Sequence, residues 1–157
     1  MARSAASQRF TLDSNLLVYS VDRTAGARHP LAMQIALAAT ACDCWLTLQA
    51  ISEFYAVTTR KGIVAPTLAA ARANDWLIAF PHRALSASAV RAALSDAANG
   101  RASYWDALLV ATAAEAGCTL ILTEDLQDGA TLGGVEIHNP FDPAGGLTAR
   151  ARELLGL

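Results

Sequence analysis

Apolar positions switch between two periods along this chain, and the switches mark its elements. Phe10-Thr11-Leu12 is short and β-prone, and Asp13-Ser14-Asn15 behind it offers helix-capping side chains ahead of Leu16, Leu17 and Val18. A strand running into a helix is predicted there. Across residues 29–41, Leu31, Ile35, Ala38 and Ala39 fall near helical spacing, with Pro30 tolerated in the first turn. CWLTL at residues 44–48 is the next predicted strand. AISEFYAVTTRKG follows as a helix that Gly62 stops, with Arg60 and Lys61 in the last turn, where the helix dipole favours cations. Pro66 opens a helix through WLIAF that Pro81 ends, and residues 82–85 form a weak edge-strand candidate. Ser86 or Ser88 caps an Ala-rich helix terminated by Asn99-Gly100. Ser103 then starts the most apolar helix, YWDALLVATAAEA, which Gly117 closes. TLIL and VEIH supply two further strands, and GLTARARELLGL reads as a final helix or a partly ordered end.

Strands alternating with helices predict an α/β fold, with a mainly parallel central sheet flanked by helices and right-handed crossovers. The length of 157 residues fits one domain spanning 1–157, with its core at about 10–141 and a tail at 142–157. Hydrophobic residues make up 54% and aromatics only 6%, so the core is expected to be built mainly from Ala, Leu and Val. The longest apolar stretches, such as LAMQIALAATAC, fall short of the ~18 residues a membrane span needs. No apolar region follows Arg3 and Arg9 as in a signal peptide, so a cytoplasmic location without membrane attachment is expected. Cys42, Cys44 and Cys118 are odd in number and lie among apolar residues, the pattern of buried free thiols. His29, His82 and His138 are scattered, so no zinc-ligand spacing accompanies the C-x-C.

Candidate chemistry enters with four acids, one apiece in separate stretches: Asp13 in FTLDSNLLVYS, Glu53 in LQAISEFYAV, Asp106 in SYWDALLVATAAEAG and Asp125 in LILTEDLQDG. Each alone has an ordinary explanation as a helix cap, a dipole partner, a capping box with Ser103 or a turn residue. In a parallel α/β sheet, however, Asp13 and Asp125 fall at the carboxyl ends of strands. Glu53 and Asp106 fall in early turns of helices that begin at the same edge. Two carboxylates ~4 Å apart repel by ~4 kcal/mol at an effective dielectric of 20, so such a cluster calls for a cation. Oxygen-rich acidic sites suit Mg²⁺ or Mn²⁺, which activate water and orient attack on phosphorus. The formal charge of −2 is no basic footprint, but Arg23, Arg28, Arg60, Lys61 and Arg101 are placed to flank a groove. No G-x-S-x-G and no Gly-rich phosphate loop is present.

At these residues the chain resembles the PIN-domain family of metal-dependent ribonucleases, which includes the VapC-type toxins of toxin-antitoxin pairs. LDSNLLVYS at 12–20, LQAISEFYAVTTRKG at 48–62, SYWDALLVATAAEAGCTLILTEDLQDG at 103–129 and VEIHNPF at 135–141 carry the likeness. The resemblance implies a Mg²⁺- or Mn²⁺-dependent endoribonuclease that hydrolyses RNA phosphodiesters with metal-activated water. Asp13, Glu53, Asp106 and Asp125 match the family's acidic cluster as ligands and catalytic groups. Asp128 ranks below them as an extra ligand. Asn15 and Thr123 match neighbouring polar positions that orient acids or water. It also implies an RNA substrate and a small antitoxin partner, while the Ala- and Leu-rich helices, more apolar than one small core needs, lead to the expectation of a homodimer. The competing expectations are a housekeeping nuclease of the same chemistry, a PIN-like module that binds RNA or protein without cutting, and a two-metal phosphatase.

Overall fold

The computed structural model describes residues 7–157; of the N-terminal stretch read for signal-peptide character, residues 1–6 lie outside them. Strand β1 (Phe10–Leu12) leads into helix α1 (Ser14–Tyr19), followed by α2 (Arg28–Ala39), β2 (Leu46–Thr47) and α3 (Leu48–Arg60). Next come α4 (Pro66–Ala79), β3 (His82–Arg83), α5 (Ala87–Ala98) and α6 (Tyr104–Glu115). The chain closes with β4 (Leu120–Leu122), β5 (Thr131–Leu132), β6 (Val135–His138) and α7 (Ala149–Leu155).

The main sheet has the order β1-β4-β6-β5, and β2 and β3 form a second parallel pair. The two are joined where Phe10 bridges Cys44, with Trp45 N donating to the Phe10 carbonyl at 2.9 Å. β1, β4 and β6 run parallel, in register Leu12 with Leu122 and Leu122 with His138, so their carboxyl ends lie side by side. The α/β architecture with a mainly parallel sheet is therefore as expected.

Local chemistry explains most element boundaries. Thr47 caps α3 by accepting from Ala50 N at 3.1 Å, which ends the strand one residue before Leu48, where the sequence pattern had continued it. Ser86, rather than Ser88, caps α5, and Ser103 caps α6. Absent from the sequence-based prediction is β5, paired antiparallel with β6 through Gly133 and Gly134, both at positive φ. That pair is a hairpin signal, but strands of so few residues leave little alternation to read. The tail segment is helical in α7, and Leu147, Ala151 and Leu155 are buried in the main core.

Phe10, Leu12, Leu120, Ile121 and Leu122 place both faces of the central strands in apolar surroundings. Leu16 and Leu17 of α1, Ile35 of α2 and Phe54 of α3 cover them. Phe54 meets Trp76 of α4 edge to face, with ring centroids 4.5 Å apart. α5 and α6 pack through Ala89, Ala93 and Ala107, whose small side chains allow close approach, together with Leu108. Among the described residues the cysteines are free, Cys44 and Cys118 buried and Cys42 half-buried. Burial raises all three thiols, Cys118 to about 12, so they are unreactive at neutral pH. No helix of the described residues is long and apolar enough to cross a membrane.

Candidate metal centre

Asp13 occupies the junction of β1 and α1. Its backbone N–H donates to the Leu122 carbonyl at 3.0 Å, locking the end of β1 against the end of β4, while its Oδ1 accepts from Ser14 N at 2.6 Å as the cap of α1. The other oxygen, Oδ2, accepts from the Thr123 hydroxyl at 2.7 Å. Thr123 follows β4, is fully buried, and accepts in turn from Asp125 N at 3.1 Å and from Asn15 Nδ2 at 3.4 Å. One hydroxyl thus ties together the residues after β1, the first turn of α1 and the loop after β4.

Glu53 reaches the same edge from the second turn of α3. Ser14 Oγ donates to its Oε2 at 2.9 Å and lies 3.4 Å from Asp13 Oδ1, so a serine hydroxyl stands between two carboxylates. Gln49, one turn earlier on α3, donates from Nε2 to Glu53 Oε1 at 2.9 Å and to the Trp105 carbonyl at 3.0 Å. That second bond binds Glu53 to the first turn of α6, where Asp106 sits. The roles of Ser14 and Gln49 escaped the sequence reading. The spacing of Gln49 four residues before Glu53 was the available signal.

Asp106 is held by Ser103, which donates to its Oδ2 at 2.7 Å and accepts from its N–H at 3.3 Å. Asp125 is exposed, and its charge acts on Asp13. Asp128 is turned away: its carboxylate accepts from Asn139 N at 2.8 Å and lies 3.3 Å from His138 Nδ1. The structure thus links Asp13, Glu53, Asn15 and Thr123 directly, and places Asp125 within electrostatic reach. Asp106 follows Trp105, whose carbonyl Gln49 holds, in the first turn of α6, and Asp128 joins a different cluster.

The electrostatics of this edge are one-sided. Asp13 is 4% exposed, and no Lys, Arg or His among the described residues lies within ion-pair distance of Asp13, Glu53, Asp106 or Asp125. Burial pushes Asp13 up to about 6, opposed by its bonds from Thr123 and Ser14 and reinforced by the charges of Asp125 and Glu53. Two amide oxygens nearby, Asn15 Oδ1 and Gln49 Oε1, are buried without a hydrogen-bond donor. Buried acceptors left without donors beside an uncompensated carboxylate are the donor set of a hard cation. Among the described residues no three His, Cys, Asp or Glu side chains close on one point at ligand distance.

The fold has known counterparts. A toxin-antitoxin complex from Klebsiella pneumoniae is similar over 84% of this chain and 98% of the matched chain, at 20% identity and a TM-score of 0.60. VapC20 of Mycobacterium tuberculosis, a toxin that cleaves the sarcin-ricin loop, is similar over 74% of this chain and 91% of its own, at 16% identity and a TM-score of 0.58. The chain has the PIN-domain fold. DNA-bound VapBC from Salmonella typhimurium shares that PIN-domain architecture over 83% of this chain and 97% of the matched chain, at 15% identity and a TM-score of 0.59. No protein-family model and no curated protein sequence matches the chain. At these identities the PIN-domain fold alone is shared, and the chemistry must be argued from the residues.

Proposed function

We propose that this protein is a Mg²⁺- or Mn²⁺-dependent endoribonuclease and the toxin of a toxin-antitoxin pair. The observation that carries the reading is the buried, cation-free carboxylate of Asp13 at the carboxyl edge of a PIN-domain sheet, with Glu53 and Asp125 acting on it. The likeness to VapC20, a sarcin-ricin-loop-cleaving toxin, and to VapBC complexes supports the reading of a toxin nuclease with a small antitoxin as partner. Exposed Leu37, Ile78 and Trp105 offer apolar surface to such a partner or to a second copy of the chain.

Asp13, Asp106 and Asp125 would hold the ion, with Glu53 as a further ligand or as the acceptor of the water's proton. The bound ion would supply Lewis-acid activation of water and neutralise charge on the phosphodiester. The chain's own contribution is orientation. Thr123 and the Ser14 N–H fix the rotation of the Asp13 carboxylate by holding Oδ2 and Oδ1, and Ser14 and Gln49 hold the two oxygens of Glu53. Asn15 Oδ1 is left free to accept from a bound water.

Cleavage of a labelled RNA, with and without Mg²⁺ or Mn²⁺, tests the reading. Metal-dependent cutting by the wild type is expected, and Asp13→Asn or Asp106→Asn should lower it a hundredfold or more. Equal cutting by wild type and both variants would remove the assigned site. Growth arrest on expression, relieved by a small co-encoded protein, separates the toxin from a housekeeping nuclease.

A further inference from the structure

Six of the eleven Lys and Arg side chains among the described residues are engaged. Arg9, Arg28, Arg83, Arg101 and Arg150 each face a carboxylate, and Arg152 donates to the Leu147 carbonyl. Arg23, Lys61 and Arg72 have no ion-pair partner among the described residues, and all three line one cavity of about 510 Å³. They come from three different elements: the loop after α1, the end of α3 and the middle of α4. Arg60 and Arg91 are likewise without an ion-pair partner but lie outside the cavity, so three of the five unpaired cations among the described residues meet here. Asp22 is the acid on the rim, and its Oδ1 is occupied by Thr24, which donates from N at 3.0 Å and from Oγ1 at 2.6 Å. Phe54, Ile63 and Leu68 give the cavity an apolar wall.

α3 connects this cavity to the acidic edge. Glu53 bonds to Ser14 beside Asp13, while the adjacent Phe54 lines the cavity, and Lys61 caps the helix eight residues on, about 12 Å along its axis. A strand cut at the acids and running along α3 would therefore bring a neighbouring phosphate to Arg23, Lys61 and Arg72. Guanidinium groups suit that role, because their fork pairs with two phosphate oxygens at once. The volume is that of a small-ligand site, and the apolar wall can receive the sugar and base of the same nucleotide. Lys61 also complements the negative end of α3, which leaves Arg23 and Arg72 as the residues free for a ligand.

We propose that the cavity between α1, α3 and α4 is a phosphate-binding subsite for the RNA strand, in which Arg23 and Arg72 hold a nucleotide flanking the one that is cut. The inference deepens the nuclease reading and rests on it for the identity of the strand. Its test uses Asp13→Asn protein, so that RNA is held without being cut, and follows the anisotropy of a labelled single-stranded RNA across a salt series. Adding Arg23→Gln and Arg72→Gln should weaken binding about tenfold at low salt. The slope of log affinity against log salt should shrink by about 1.4, two single-strand phosphate contacts. Both substitutions are at exposed positions, and an unchanged melting temperature confirms the fold. Arg91→Gln, an exposed cation on α5 away from the cavity, should change neither quantity. Unchanged affinity and slope in the double variant would overturn the subsite, and would leave the nuclease reading standing if the wild type cuts RNA. A lowered slope with no cutting by the wild type would keep the phosphate site and remove the nuclease. Unchanged RNA binding together with lost binding of a poly-glutamate peptide would assign the cavity to an acidic protein segment and overturn the proposal.

Discussion

Near its start α3 carries Glu53, which shares the Ser14 hydroxyl with Asp13 at an edge where no described cation comes within ion-pair distance. At its other end Arg60 and Lys61 emerge, and Lys61 lines a cavity with Arg23 and Arg72. The same helix separates uncompensated negative charge from unpaired positive charge by about two turns. Ordinary stability would favour pairing these groups or dispersing them. The cost to the free protein falls at the acidic end, where Asp13 is buried, whereas the cations at the other end are exposed to water.

The sharpest way to break this contrast is at the acidic end. Asp13→Asn should reduce metal-dependent RNA cleavage a hundredfold or more, since the buried charge that would hold the ion is gone. The same substitution should stabilise the metal-free protein. The folded carboxyl titrates at about 6 against an ordinary 3.8, so between these values the folded state holds more protons than the unfolded one. Stability is therefore present in full below about 3.8 and declines as pH rises through about 6. At pH 8 the variant should gain up to about 3 kcal/mol over wild type, and at pH 3 nothing, as melting curves in the presence of a chelator would show. A gain independent of pH would mean that Asp13 is compensated after all.

Thr123→Val sharpens the comparison by leaving all charges in place. It removes the donor to Asp13 Oδ2 and the acceptor of Asp125 N–H, so metal affinity measured by titration calorimetry should drop about tenfold to a hundredfold. The smallest effect belongs to Asp128, an acid that is paired. Burial holds His138 below its ordinary range, with Asp128 opposing the shift, so the unfolded state holds more protons just below about 6.5. The contribution of His138 is complete above that pH and is lost as pH falls. His138→Gln should flatten a shallow loss of melting temperature on acidification, without affecting cleavage.

The fold and the acid positions were readable for different reasons. Elements announced themselves where a capping side chain met an apolar run: Asp13 before Leu16, Ser86 before α5 and Ser103 before α6. The β5–β6 hairpin was not readable, because two-residue pairing gives no periodicity, and Leu48 was misplaced because a buried strand end and a buried helix start are equally apolar. Asp128 could not be separated from Asp125 by spacing, since both follow β4 within one polar loop. Their difference lies in His138, ten residues beyond Asp128, whose ring claims that carboxylate.

Local sequence alone determined that acids would stand at strand ends and early helical turns, because caps, breakers and apolar period are properties of neighbouring residues. Tertiary structure decided what those acids are. Burial of Asp13, the hydroxyl of Ser14 between two carboxylates, and the Gln49 bridge from α3 to α6 join residues far apart in the chain. Such contacts depend on which side chains meet when the sheet and helices close, and the spacing of residues along the chain carries no record of them.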